Sequence, residues 1–166
     1  MNAQDINLFY TKDLIMKQSP GAAKIIVKNK KAYHLYFIQE QYETGIELEG
    51  TEVKSLRDGK VSLSDSYCKV NKNDELLLLN LNIAPYSSGG YTNHSPIRKR
   101  KLLMHKREII KLRNKLQQKG YTLVPLSIYF KRGWAKVELG LAKGKKKFDK
   151  REDLKQKEAS RESKRY

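Results

Sequence analysis

A cluster of carboxylates is the part of this sequence whose residue types could perform catalysis. The cluster consists of five glutamates, Glu40, Glu43, Glu47, Glu49 and Glu52. Side chains two positions apart share one face of a β-strand, so Glu43, Glu47 and Glu49 would lie together on a strand. Carboxylates held together can bind Mg²⁺ for phosphoryl chemistry. The alternative is a solvated strand face opposite Ile46 and Leu48, and the residues alone leave both interpretations open.

Other catalytic arrangements are missing from the sequence. None of the three histidines has metal-ligand spacing to another histidine or to the single cysteine; these residues are His34, His94, His105 and Cys68. With one cysteine the chain cannot form an internal disulfide. The stretch 140–145 superficially resembles a phosphate-binding loop, but it leads into a charged segment instead of an apolar helix. We therefore expect no enzymatic activity, no metal and no cofactor.

Positive charge is concentrated in two segments of the chain. Lysine and arginine number 35 against 18 acidic residues, which gives a net charge of +17. Residues 98–119 hold ten basic side chains and one acidic one, and residues 143–166 hold eleven basic and five acidic ones. Such a surplus points to a polyanionic partner, either a nucleic acid or an anionic membrane surface. Nucleic acid is the favoured partner, and a merely solvated basic face is the alternative.

The segment 143–151 combines the densest positive charge with an aromatic residue, Phe148. Lysines that contact phosphates and a ring that stacks on a base together suit single-stranded RNA. From residue 143 onward the only other sizeable apolar side chains are Leu154 and Tyr166. Because these are too few for a core, we expect the tail, residues 143–166, to be disordered when free. A solvated basic tail without a partner is the alternative.

Most of the elements that must position these residues are short strands. β-branched and aromatic residues, period-two alternation and turn residues predict strands over 25–27, 33–49, 66–70, 75–83, 121–130 and 134–141. The turns 71–74 and 131–133 would join two pairs of these strands as hairpins. Several short antiparallel strands favour an α+β or mainly β domain over residues 21–142, built as an oligonucleotide-binding-type antiparallel β-barrel with flanking helices.

Two helices and one extension complete the predicted organisation. A helix near 52–58 would end at Gly59, which can adopt the left-handed conformation. A second helix over 96–119 is predicted from Ser95 followed by proline, a hydroxyl cap with proline in the first helical position. Residues 1–20 are interpreted as a loosely attached extension without an assigned role. The N-terminus lacks the apolar stretch of a signal peptide, and the longest aliphatic run, 76–79, is far shorter than the ~20 residues of a membrane span.

Several blocks of sequence, in order between about residues 24 and 155, resemble one protein family. The blocks are 43–46, 50–60, 65–67, 100–103, 119–126, 136–146 and 149–151. The most specific are Glu-Val-Lys-Ser-Leu-Arg at 52–57 and Ala-Lys-Gly-Lys-Lys at 142–146, with Asp-Lys-Arg following at 149–151. Through them the chain resembles the SsrA-binding protein (small protein B) family, the bacterial partners of transfer-messenger RNA (tmRNA).

The resemblance implies a function and a set of site residues. Such proteins bind the tRNA-like domain of tmRNA, deliver it to stalled ribosomes for trans-translation, and place the tail as a helix in the empty mRNA channel near the decoding centre. The matching positions, extended by neighbouring basic residues, give the candidate RNA-binding residues Asn29, Lys30, Lys31, Glu43, Arg100, Lys101 and Leu103. The tail residues implied to act at the ribosome are Lys143, Lys145, Lys146, Phe148, Asp149, Lys150 and Arg151.

The expected partners are therefore tmRNA and the ribosome with its RNA, without a membrane, for a cytoplasmic protein that is a monomer when free. The chain departs from the family at Leu35, where relatives usually have an acidic residue, and in its long N-terminal extension. One alternative is another ribosome-associated factor of the oligonucleotide-binding fold with a generic basic tail. The other is a Mg²⁺-dependent nuclease that uses Glu43, Glu47 and Glu49.

Overall fold

The computed structural model describes residues 23–89 and 93–146. In chain order its strands are β1 (Lys24–Lys28), β2 (Tyr36–Ile46), β3 (Val61–Ser62), β4 (Tyr67–Val70), β5 (Leu76–Leu79), β6 (Asn82–Ile83), β7 (Arg100–Leu103), β8 (Tyr121–Lys131) and β9 (Trp134–Gly144). Its helices are α1 (Lys30–Leu35), α2 (Gly50–Arg57) and α3 (Lys106–Leu116). Neither the N-terminal extension nor the tail beyond residue 146 belongs to the described residues.

Six strands close into an antiparallel barrel. Neighbours pair in the order β8, β4, β5, β7, β2 and β9, and β9 pairs again with β8 to complete the ring. β1 adds to β8 beside β4, and β3 pairs with β6 in a separate small sheet. Closure leaves few unpaired strand edges. The barrel with flanking helices confirms the fold class that the sequence predicts.

Alternation along the strands separates a core from the outer surface. On β9, for example, Val137, Leu139 and Leu141 are buried in the core, and the residues between them face outward. α2 and α3 contribute Leu56 and Leu112 to the same core. α1 packs differently, because its Ala32 belongs to a second, smaller cluster on the outer side of the barrel with Val124, Leu126 and Ala142.

Local turn residues produce the hairpins that the sequence predicts. Arg132 and Gly133 both have positive φ angles, 51° and 82°, as a two-residue type I′ turn between β8 and β9 requires. In the turn between β4 and β5, the Asn71 side chain accepts hydrogen bonds from the backbone N–H groups of Asn73 and Glu75. Gly59, with a φ of 72°, follows α2 as expected.

The structure corrects the predicted helix over 96–119. Residues 100–103 form β7 instead. Arg100 and Leu102 are buried, whereas Lys101 and Leu103 are exposed. This period of two lets β7 pair with both β5 and β2. The helix α3 begins only at Lys106, so the serine–proline signal near residue 95 does not start a helix. The predicted strand over 33–49 is likewise shorter, because its first residues belong to α1.

None of the helices in the described part of the chain is both long and apolar enough to cross a membrane.

Candidate nucleic-acid interface

The outer surface of β8, β9, β2 and β7 brings together side chains from distant parts of the sequence. Ser127 of β8 lies opposite Glu138 of β9, and Glu138 lies opposite Glu43 of β2. Two residues further along β2, Gly45 lies opposite Leu103 of β7. Because neighbouring strands are about 4.8 Å apart, these positions form a row roughly 14 Å long. We call this row, with the side chains that contact it, the front face.

Glu43 supplies a charged acceptor at the centre of the front face. Its Oε2 accepts hydrogen bonds from the Tyr129 hydroxyl at 2.6 Å and from the Lys131 ammonium at 2.8 Å. The hydrogen bond from Lys131, followed by that from Tyr129, holds the pKa of Glu43 below its ordinary value. Among the described residues no side chain donates to Oε1 of Glu43. That oxygen can therefore accept a hydrogen bond from a ligand.

Tyr129 remains a hydrogen-bond donor across the physiological pH range. Burial, together with its hydrogen bond to Glu43, raises the pKa of the Tyr129 hydroxyl above its ordinary value. On the neighbouring strand Ser127 donates to Oε2 of Glu138 at 2.8 Å. The front face therefore carries two carboxylates, each oriented by a hydroxyl group.

Leu103 adds apolar surface next to these acceptors. Its side chain is 52% exposed, whereas that of its neighbour Leu102 is buried. A Cβ added at Gly45 would lie 3.2 Å from the Cβ of Leu103, so the glycine allows this leucine to lie close against β2. An exposed apolar side chain beside a carboxylate can contact the sugar and base edges that carry specificity in a nucleic acid.

Asn29, Lys30 and Lys31 lie where β1 passes into α1, next to β8. Asn29 caps the helix, because its Oδ1 accepts a hydrogen bond from the Ala32 N–H at 3.1 Å and its Nδ2 donates to the Pro125 carbonyl at 3.0 Å. The two lysines are exposed, and Lys31 forms an ion pair with an aspartate at 2.8 Å. Asn29 therefore positions the helix that presents the two lysines.

Arg100 does not belong to an RNA-contacting surface, which corrects its prediction as a binding residue. Its side chain is 0% exposed. The guanidinium donates to Glu52 at 2.8 Å and to the backbone carbonyls of Leu81 and Pro96 at 2.6 and 3.0 Å. The physical reason is the alternation of β7, which turns Arg100 inward. The next residue, Lys101, is exposed and pairs with a glutamate at 2.6 Å.

Glu52 is the buried carboxylate that compensates the buried charge of Arg100. It accepts hydrogen bonds from Arg98, from Arg100 and from the backbone N–H of Glu49. Burial would raise the pKa of Glu52, but the hydrogen bonds from Arg98 and the Glu49 backbone, with the charge of Arg100, hold it below its ordinary value. The carboxylate therefore remains charged inside the protein and joins α2 to the segment before β7.

The predicted carboxylate cluster for Mg²⁺ does not form. β2 ends at Ile46, so Glu47 and Glu49 lie outside the strand that carries Glu43. Glu49 instead caps α2, and its carboxylate lies 3.3 Å from Arg98. In the described ranges no three His, Cys, Asp or Glu side chains lie close enough to hold a metal ion. The nuclease alternative therefore lacks the convergence of carboxylates on which it depends.

The first tail residues are held against the barrel. Lys143 is the second-last residue of β9, and its ammonium lies 5.9 Å from the Tyr121 ring centre. Lys145 donates its backbone N–H to the Leu35 carbonyl at 2.9 Å, and its ammonium lies 4.8 Å from the centre of the Phe37 ring. Lys146 is exposed just beyond. The remaining predicted tail residues lie outside the described residues; they are Phe148, Asp149, Lys150 and Arg151.

Tyr129, Lys131 and Glu138 are candidates that the sequence interpretation did not select. Tyr129 and Glu138 occupy outward positions next to the buried Ile128 and Val137, and Lys131 is exposed at the end of β8. The strand alternation was a signal that these side chains face solvent. It could not show which of them meet Glu43, because Tyr129 lies 86 residues away in sequence.

Comparisons with known proteins all identify the same family. Residues 26–166 match the family model described as SmpB protein. The SsrA-binding protein of Geobacter sulfurreducens is 60% identical over 139 residues, which cover 84% of this chain and 90% of that protein. The SsrA-binding protein of Bacillus subtilis is 56% identical over 142 residues, which cover 86% of this chain and 90% of that protein.

A solved structure is similar in both fold and sequence. It is described as "tmRNA-SmpB: a journey to the center of the bacterial ribosome". The matched chain is 57% identical, with a TM-score of 0.62, and the match covers 73% of this chain and 85% of that chain.

Proposed function

The chain belongs to the SmpB protein family, and on that premise we propose that it is an RNA-binding factor of trans-translation. It binds the tRNA-like domain of tmRNA, delivers the RNA to stalled ribosomes and inserts its tail into the empty mRNA channel near the decoding centre. It acts in the cytoplasm, without catalysing a reaction, and is a monomer when free. Its partners are tmRNA and the ribosome with its RNA.

The front face is the observation that carries the RNA-binding part of this proposal. Glu43 offers an acceptor oxygen next to the exposed apolar surface of Leu103. Exposed lysines lie near this surface: Lys30 and Lys31 in α1, Lys101 in β7 and Lys131 in β8. Lysines supply affinity through phosphates, whereas an acceptor with apolar surface can distinguish sugars and bases. The combination favours a specific RNA partner over a generic polyanion.

The position of the first tail residues, 143–146, supports the ribosomal part of the proposal. The hydrogen bond from the Lys145 backbone to Leu35 fixes the chain beside α1 as it leaves the barrel. A basic segment that starts from a fixed point can be directed along one path, and its lysines and its phenylalanine suit contact with RNA phosphates and bases. We therefore assign insertion into the mRNA channel to the tail.

Binding to tmRNA and to an ordinary tRNA, each measured across a series of salt concentrations, tests the proposed function. We expect a clear preference for tmRNA. We also expect the affinity to fall with salt, because each phosphate contact contributes about 0.7–0.9 to the slope of log K against log salt concentration. Equal, weak binding to both RNAs would contradict the proposal and would favour a ribosome-associated factor with a generic basic surface.

Replacing Glu43 by glutamine is expected to weaken tmRNA binding by roughly 10- to 150-fold. The amide oxygen of the substituted side chain would stay with Tyr129 and Lys131, and its NH₂ group would replace the free acceptor. The estimate follows from the resulting loss of a hydrogen bond to a charged group, worth about 1.5–3 kcal/mol. Binding to non-specific RNA should not weaken, since the substitution removes a negative charge. Electrophoretic mobility shifts with both RNAs measure the two effects.

Glu40→Gln is the matched control for this substitution. Glu40 is an exposed glutamate of the same strand, and it also accepts hydrogen bonds from a tyrosine and a lysine, Tyr42 and Lys115. We expect its replacement to leave the preference for tmRNA unchanged. If Glu43→Gln and Glu40→Gln had the same effect, the effect would be general electrostatics, and the assigned role of Glu43 would be wrong.

A further inference from the structure

A cavity of about 340 Å³ lies between α1 and the start of β4. Cys68 of β4 and Leu123 of β8 are register partners whose side chains are buried in the core. Their neighbours Tyr67, Thr122 and Val124 therefore face outward and line the cavity. Its volume is at the lower end of the roughly 300–1,000 Å³ typical of small-molecule sites.

The two sides of the cavity present apolar and aromatic surface. On the α1 side it is lined by Leu35 and Tyr36, and on the β4 side by Tyr67. Tyr67 is 44% exposed, so its ring is accessible to a ligand. An aromatic ring and apolar side chains that line one cavity suit a flat ring system, because a planar ligand can contact several of them at once.

Polar groups at the cavity match the hydrogen-bonding edge of such a ring. The Thr122 hydroxyl has no hydrogen-bond partner among the side chains of residues 23–89 and 93–146, so it can donate to or accept from a ligand. Asn29 also lines the cavity, and its amide retains one further donor and one further acceptor site beyond its bonds to Ala32 and Pro125.

The cavity is also lined by a lysine that can exchange its ion-pair partner for a ligand. Lys31 of α1 and Asp65 before β4 both line the cavity, and their ion pair at 2.8 Å joins its two sides. Their side chains are 59% and 76% exposed, and ion pairs this exposed contribute little to stability. Lys31 can therefore leave Asp65 for a phosphate group at small cost.

We propose that this cavity binds one unstacked nucleotide of the RNA partner. The base lies between Tyr67 and Leu35, with its polar edge toward Thr122 and Asn29, and its phosphate contacts Lys31. Asn29, which lines the cavity, donates a hydrogen bond to the Pro125 carbonyl, and Pro125 lies on β8 two residues before Ser127 of the front face. An RNA strand that crosses the front face can thus place a nucleotide there. This inference rests on the proposed function, since it assigns the ligand as part of an RNA.

Tyr67→Ala in the full chain tests the role of the ring. Loss of base stacking is expected to weaken tmRNA binding by about 5- to 150-fold, whereas Tyr67→Phe, which keeps the ring, should bind like the original chain. Trp134→Ala is the matched control, because Trp134 is a 74% exposed aromatic residue at the β8–β9 turn. Thermal unfolding of each variant verifies that the fold is retained.

A second measurement locates the nucleotide directly. The ¹⁵N-labelled full chain is titrated with AMP, GMP, CMP and UMP, and we expect amide resonances of Ser66, Thr122 and Val124 to shift. The shifts should disappear in Tyr67→Ala. In parallel, tmRNA that contains 4-thiouridine should photo-crosslink to the peptide with Tyr67.

The outcomes separate this inference from the proposed function. Unchanged tmRNA affinity in Tyr67→Ala would overturn the inference, as would an equal loss in Trp134→Ala. Shifts with free nucleotides but no crosslink to tmRNA would also overturn it, since the ligand would then be a free nucleotide. A chain that prefers tmRNA and fails these tests loses the nucleotide site alone. A chain without a preference for tmRNA fails as a trans-translation factor.

Discussion

A chain truncated after Lys146 is expected to bind tmRNA with nearly full affinity and to support no tagging of stalled translation products. All residues of the front face lie within 23–146 and remain in the truncated chain. Residues 147–166 carry eight basic and five acidic side chains, so truncation removes only three net charges. Binding of tmRNA and tagging in a reconstituted translation system with stalled ribosomes measure the two effects on the same preparations.

Two double variants separate the sequence of the tail from its charge. Lys150→Ala with Arg151→Ala and Lys164→Ala with Arg165→Ala each remove two positive charges from the tail. We expect the first pair to reduce tagging to the level seen without the protein and the second pair to leave it unchanged. Tagging by the truncated chain would contradict the assigned role of the tail. Loss of tmRNA binding on truncation would instead place the tail in the tmRNA site.

The barrel could be predicted because its determinants are local. The turn residues at 71–74 and 131–133 fix two hairpins, and the segments on either side are rich in apolar, aromatic and β-branched residues. Closure of the ring follows from strands that bury one face and need a partner along each edge. The sequence therefore carried the fold class without any information on long-range contacts.

Local signals wrongly predict that the helix begins at residue 96, where the structure has a loop followed by β7. Ser95 and Pro96 have the residue types of a helix start, but the Pro96 carbonyl accepts hydrogen bonds from Ile83 and from Arg100. These partners lie on other segments, and pairing of β7 with two strands outweighs the local preference. Secondary-structure propensity is a weak influence that tertiary contacts override.

The sequence indicates candidate site residues but not how they are arranged in space. The family resemblance implies Glu43 and Leu103 as RNA-binding residues, and the structure places both on the front face. The side chains that orient Glu43, Tyr129 and Lys131, come from a strand 86 and 88 residues away in sequence. Arg100 is a candidate because it is a basic residue of the family-like block 100–103 that contains Leu103. Its partner Glu52, 48 residues away, makes it a buried residue instead.

Replacing Arg100 by alanine is therefore expected to affect stability and not RNA recognition. Removing one member of a buried ion pair leaves the other charge buried without its partner, which costs about 3–5 kcal/mol. A domain has roughly 5–15 kcal/mol of stability in total, so the loss is a large fraction of it. Urea denaturation measures the change, and we expect tmRNA affinity per folded molecule to stay constant.

Lys101→Ala is the matched control, because Lys101 is the adjacent basic residue and its ion pair with Glu75 is exposed. Exposed pairs contribute about 0–1 kcal/mol, so this variant should keep its stability while binding RNA more weakly. If Arg100→Ala does not fold, Arg100→Lys serves in its place. It keeps the charge but cannot reproduce the several hydrogen bonds of a guanidinium. A stable Arg100 variant with weakened tmRNA binding would show that Arg100 contacts the RNA.

Acid titration provides an independent test of the same ion pair. The pKa of Glu52 in the folded protein lies below its ordinary value, so its charged form is stabilised by folding. This contribution is fully present above the unfolded pKa of about 4.3 and is lost as the pH falls through the folded pKa. The original chain should lose stability over that acidic range, and Arg100→Ala should lose less there, since part of the stabilisation of the carboxylate is already gone. Arg98→Ala should likewise lose less than the original chain, because the hydrogen bond from Arg98 is the largest of the interactions that lower the pKa of Glu52.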